Sequence, residues 1–169
     1  MDKMTNVDAI LFPADDRLPH LVPLMTSDAT PFSPHGQSSQ HPQHPTVRVP
    51  HPEMYMDFIP EGVGSRVWRS HVIDMLDGMN KKFENPYVIY YPVLSRDGMP
   101  FPVNEFLKKE QGASFRETHA WRGNLVVAKY RDERHSTPMN ATMADFPLLK
   151  NYLITHSPPG SVTFAPPGT

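Results

Sequence analysis

Apolar residues along this chain come in short bursts whose spacing changes from one segment to the next. Ala9-Ile10-Leu11-Phe12 is an apolar run closed by Pro13, and Leu21-Val22 with Leu24-Met25 is another, broken by Pro23. Prolines at that spacing rule out a continuous helix. Both runs are therefore read as edge strands, or as segments laid onto a core formed elsewhere. Met54-Tyr55-Met56-Asp57-Phe58-Ile59 reads as a strand closed by Pro60-Glu61-Gly62. Beyond it, Trp68, Val72, Met75, Leu76 and Met79 fall at i, i+4, i+7, i+8 and i+11. That spacing predicts an amphipathic helix over 65–79 with Ser65 as its N-cap.

The second half carries clearer punctuation. Residues 87–94 are β-branched and aromatic and follow the turn signal Asn85-Pro86, so they predict a strand. Asn104 caps a predicted short helix through Glu110, and Gly112 stands where a C-terminal glycine belongs. Leu125-Val126-Val127-Ala128 is apolar on both faces, the pattern of an interior strand covered on both sides. Asp145-Phe146-Pro147 opens a last predicted helix, with Leu148, Leu149, Tyr152 and Leu153, ending near His156 before Pro158-Pro159.

The order of strands and helices points to an α+β fold: a small mixed sheet, about three helices and a long Pro-rich loop. The helix between two strands keeps α/β open as the alternative. Four segments are expected. Residues 1–29 lay apolar pieces on the core, 30–52 form a flexible Pro/His/Ser/Gln-rich stretch, 53–157 make the core domain, and 158–169 fray.

Composition narrows the classes. With 169 residues, 38% of them hydrophobic, the chain suits one ordinary domain. Sixteen basic residues against 18 acidic ones give a net charge of −2, too balanced to attract nucleic acid or an anionic membrane over the whole surface. Cysteine is absent, which excludes disulfides, thiolate catalysis and thiolate metal sites. The start lacks a signal-peptide apolar stretch and no run approaches a membrane span, so a cytoplasmic or nuclear address and no membrane partner are expected.

Candidate chemistry is sparse. His20, His35, His41, His44 and His51 lie in or beside the Pro-rich stretch, but no carboxylate lies between His35 and His51 to complete a metal shell, and solvated loop histidines are the simpler reading. The same stretch holds Pro31-Phe32-Ser33-Pro34 and Pro42-Gln43-His44-Pro45, both of the P-x-x-P form that docks in aromatic grooves of other proteins.

The densest polar cluster runs from Phe115 to His135. If 117–121 is extended, Glu117 and His119 project to one side and can act as base and orienter or as metal ligands. Asp132 and His135 follow the interior strand, and His71 can join them. Between Leu107 and His135, seven Lys/Arg stand against four acids with Phe115, Trp121 and Tyr130 interleaved, a mildly basic edge that makes nucleic-acid binding a third reading. No phosphate loop, dinucleotide fingerprint, nucleophile elbow or zinc-protease pair occurs, and no cofactor is expected.

The stretches Ala120-Trp121-Arg122-Gly123-Asn124-Leu125-Val126-Val127-Ala128-Lys129-Tyr130 and Met143-Ala144-Asp145-Phe146-Pro147-Leu148-Leu149-Lys150-Asn151-Tyr152-Leu153 resemble segments of a family of short proteins from mushroom-forming fungi. That resemblance covers the C-terminal third and implies no activity. The sequence therefore ranks three readings: a non-enzymatic protein-binding or regulatory module first, with another protein as partner through the Pro-rich segment. A small hydrolase or metal-assisted enzyme using Glu117, His119, Asp132 and His135 comes second. A nucleic-acid binder comes third.

Overall fold

The computed structural model describes residues 5–29, 47–56, 68–92 and 101–159. Seven strands and two α-helices are found there: β1 (Thr5–Phe12), β2 (His20–Ala29), β3 (Val47–His51), β4 (Trp68–Ile73), β5 (Tyr87–Pro92), α1 (Glu105–Gln111), β6 (Leu125–Tyr130), β7 (Pro138–Met139) and α2 (Phe146–Thr155). The sheet order is β3-β2-β1-β6-β5-β4, with β7 added beside β6. Every pairing among these strands is antiparallel.

The sheet is thus two three-stranded meanders joined where β1 meets β6, with Ile10 opposite Val127. It curls, and β1 leaves β6 after three paired positions; β7 pairs with β6 beyond that point. The Ala141 amide donates to Asp8 O at 2.8 Å and holds the seam. An α+β fold is therefore present, but the sheet dominates it. It is antiparallel where a mixed sheet was expected, and it carries two α-helices where about three were expected.

Alternation along the central strands fills two cores. Ile10, Phe12, Ile89, Leu125 and Val127 face the helices and meet Leu107, Trp121, Leu149 and Leu153. Leu11, Val22, Leu24, Val88, Val126 and Tyr130 face the other way and meet Met56. β6 is apolar on both faces, as its sequence requires, because it lies between β1 and β5 with a core on each side.

Three local expectations are corrected. The segment expected to be helical over 65–79 forms β4 at Trp68–Ile73, paired residue for residue with β5, and then a turn. Val72 and Ile73 are β-branched and lose less as strand residues than in a helix. Six cross-strand pairs outweigh a helical spacing, and two of its members, Met75 and Met79, remain 41% exposed. Pro52–Tyr55, where a strand was expected to begin, forms a 3-10 turn after a proline; residues 57–59 lie outside the described residues. The first apolar run is no edge strand, since β1 has neighbours on both sides. The run after it tolerates Pro23 because β3 pairs only with Met25–Ala29, leaving the proline's other side without a partner strand among the described residues. The Pro-rich stretch meets the sheet at Val47–His51, and residues 30–46 lie outside the described residues.

The short helix and the last helix form where the sequence placed them. The Asn104 side chain accepts from Leu107 N at 3.2 Å and donates to Phe12 O and Gly123 O, so a fully buried amide ties α1 to the centre of the sheet. Asp145 bonds back to Thr142 N at 2.8 Å in a capping box ahead of α2. No helix among the described residues is long and apolar enough to cross a membrane.

Candidate functional site

The end of α2 is the chemically richest place on the described surface. The indole of Trp121, buried behind the helix, donates from Nε1 to Leu153 O at 3.0 Å and to His156 O at 2.9 Å. Gln111, at the end of α1, donates from Nε2 to Ile154 O at 3.0 Å. These bonds satisfy carbonyls that a helix otherwise leaves open at its C-terminus. They also draw the end of α1 and the 3-10 turns Gly112–Ser114 and Glu117–His119 against the end of α2.

Between the two walls lies an open groove of about 500 Å³. Gln111, Ser114, Arg116 and His119 line one wall; Ile154, Thr155, His156 and Ser157 line the other. None of these is a carboxylate.

Behind the groove stands a stack of rings. Tyr152 and His156 lie face to face, 3.9 Å between centroids and 9° between planes. The Tyr152 hydroxyl shares a 2.8 Å hydrogen bond with His71 Nε2 on β4. Burial pushes His71 below the usual imidazole range, and the neighbouring His156 pushes the same way. Burial also raises the Tyr152 hydroxyl, with Asp77 and Asp74 adding to the effect. His71 and Tyr152 are therefore a neutral pair at pH 7, a latch between β4 and α2. His156 Nε2 reaches Asp77 Oδ2 at 3.0 Å and so fastens the turn after β4 to the groove. That turn carries Met75 and Met79, each 41% exposed.

Thr155, His156 and Asp77 have the connectivity of a hydroxyl–imidazole–carboxylate triad, with Thr155 Oγ1 at 3.0 Å from His156 Nδ1. Their hydrogen bonds do not fit nucleophilic use. His156 Nδ1 is 2.9 Å from Tyr152 O, a carbonyl that can only accept, so this nitrogen donates and cannot take the threonine proton. Thr155 in turn donates to Asn151 O at 2.8 Å. The backbone nearby presents helix carbonyls, the wrong sign for an oxyanion hole.

The residues singled out in the sequence are spread over several surroundings. His119 lines the groove and bonds Thr118 Oγ1 at 3.1 Å through Nδ1. Glu117 is solvent-exposed beside it and pairs with Arg122 at 3.7 Å. Residues 117–119 form a 3-10 turn where an extended segment was expected, so Glu117 and His119 do not share a face through strand alternation.

Asp132 and His135 follow the far end of β6, a strand about 17 Å long at ~3.3 Å per step. Asp132 staples its own turn by accepting from Ser136 Oγ, Ser136 N and Thr137 N. Burial opposes that charge, but these bonds prevail and hold Asp132 below the usual carboxylate range. His135 takes a positive φ of 56° and packs edge-on against Tyr130. Its Nε2 is buried with no hydrogen-bond partner among the described residues, beside a cavity of about 30 Å³ that Asp74, Lys82 and Glu133 also line. No group of three or more His, Asp or Glu among the described residues is arranged to hold a metal.

Arg116, Asp77 and Tyr152 were missed as a group. His156 was legible as a helix-end histidine, but nothing in the sequence reveals that two 3-10 turns meet it. No family model, curated protein or solved structure matches the chain.

Proposed function

We propose that this chain is a non-enzymatic protein-binding module, and that its binding face is the groove at the end of α2 together with the methionine-bearing turn beside it. One observation carries the reading: the Asp77–His156 contact sets the turn that bears the exposed Met75 and Met79 beside a polar groove. An apolar patch with polar neighbours is the anatomy of a protein interface. Methionine side chains adapt to the shape of what they cover. The hydrogen bonding of Thr155 and His156 supports binding over nucleophilic chemistry. The P-x-x-P motifs between residues 30 and 46 offer a second point of contact on the same partner.

The test is affinity capture with the full chain as bait. The double variants Met75→Ser, Met79→Ser and Arg116→Gln, His119→Gln should each lose at least about tenfold in capture, near the value of one strong interface contact. Both should keep the wild-type melting temperature. Unchanged capture by both folded variants removes the reading.

A further inference from the structure

We infer that the groove at the end of α2 recognises an oxyanion, the carboxylate or phosphate group of its ligand. This rests on the reading of the groove as the binding face and adds the chemistry it selects.

The donors are in place and unused. Arg116 spends Nη1 on the carbonyls of Phe115 at 3.1 Å and Ala113 at 3.5 Å, which fixes the guanidinium plane. Its Nε and Nη2 have no partner among the described residues, and those two N–H groups form the edge that meets an oxyanion side-on. His119 lines the groove, and in the tautomer whose Nδ1 accepts from the Thr118 hydroxyl at 3.1 Å its Nε2 carries a hydrogen to donate. The hydroxyls of Ser114 and Ser157 stand on opposite walls, also without a partner among the described residues.

The features that would repel an anion are already occupied. A helix C-terminus is electronegative through its open carbonyls. Here Leu153 O and His156 O take the Trp121 indole, Ile154 O takes Gln111, and Tyr152 O takes His156 Nδ1. Two carboxylates close by are paired: Glu117 with Arg122 at 3.7 Å, and Asp77 at 3.0 Å with His156, whose ring lines the groove. With these donors facing the groove, the carbonyls of Tyr152, Leu153 and Ile154 capped and no acid in the lining, the groove suits an oxyanion better than a cation. Ile154 supplies an apolar wall for the carbon body that carries the anion.

The experiment records ¹⁵N–¹H spectra of the full chain during titration with phenyl phosphate, benzoate and uncharged benzyl alcohol, each to about 20 mM, the range of a single weak site. Shifts confined to residues 111–119 and 154–157, weakened at least about tenfold by Arg116→Gln and by His119→Gln but not by Arg17→Gln, establish the site. Binding of phenyl phosphate alone names a phosphorylated ligand, and binding of benzoate alone names a carboxylate. No shifts in the groove, equal binding of benzyl alcohol, or shifts that survive both variants overturn the inference. If anions fail while partner capture still depends on Arg116 and His119, only this inference falls. If anions bind but no partner is captured, the protein-binding reading falls and the oxyanion site stands.

Discussion

Lys129 Nζ lies 3.0 Å from Asp145 Oδ1, and the Tyr87 hydroxyl donates to the same oxygen at 2.6 Å. Three elements meet at that oxygen: β5, β6 and the turn that starts α2. The helix that carries the groove is therefore anchored at its opposite end by a charge taken largely out of water. Burial opposes the Asp145 charge, but the bonds from Tyr87, Thr142 N and Lys129 prevail and set it below the usual carboxylate range.

Asp145→Ala is expected to cost about 2–4 kcal/mol, because it strands a lysine and a buried phenol together. Tyr87→Phe, which removes one donor, should cost about 1–2 kcal/mol. The pH dependence follows from the direction of the shift. A depressed folded pKa contributes stability above the unfolded value of about 3.9, lost as pH falls through the folded value. Urea titrations of wild type and Asp145→Asn between pH 6 and 2 check this: the variant should start less stable and show a shallower acid slope.

His71 carries the opposite kind of shift for a base. Its folded pKa lies below 6.5, first through burial and then through His156. Between those values the unfolded chain binds more protons, so stability falls on acidification from about pH 6.5 to the folded pKa. The His71 ring should titrate below 6.5 in proton NMR. His71→Gln should flatten the stability profile in that window, and Tyr152→Phe should cost about 1 kcal/mol by removing the hydrogen bond.

Gly123 holds φ at +75°, and a β-carbon there would stand 2.6 Å from Pro92 Cγ, part of a ring that cannot swing away. Its amide donates to Pro102 O at 2.8 Å, within the seam that seats α1. Gly123→Ala should therefore destabilise by roughly 2–4 kcal/mol, the left-handed penalty plus overpacking. Equilibrium unfolding measures it directly.

Trp121→Phe keeps most of the buried ring and deletes both bonds to the end of α2. A loss of about 1–2 kcal/mol is expected. Hydrogen exchange should accelerate in the last turn of α2, while the amides of β6 stay protected. Uniform acceleration would mean the indole supports the whole core and not the groove wall.

Which parts of this were legible in the sequence follows from how local their causes are. Asn104, Gly112 and Asp145-Phe146-Pro147 announce helix ends through contacts within a few residues, and those helices formed there. Leu125–Ala128 announces a strand covered on both faces and is one. The segment from Trp68 to Met79 misled because its apolar spacing fits a helix, while its state is decided by pairing with Tyr87–Pro92. The groove was illegible for the same reason. It exists because Trp121 and Gln111 reach carbonyls some thirty to forty residues away, and no spacing within either segment encodes that meeting.

The central claim is that the end of α2 is where this protein meets its partner. A photo-crosslinking side chain placed at Ser157 in the groove tests it most directly, against the same group at exposed Glu133, beyond the far end of β6. The account requires a discrete crosslinked partner from position 157, lost on Arg116→Gln, and none from position 133. Crosslinking from 133 but not from 157, or from 157 regardless of Arg116, would contradict it.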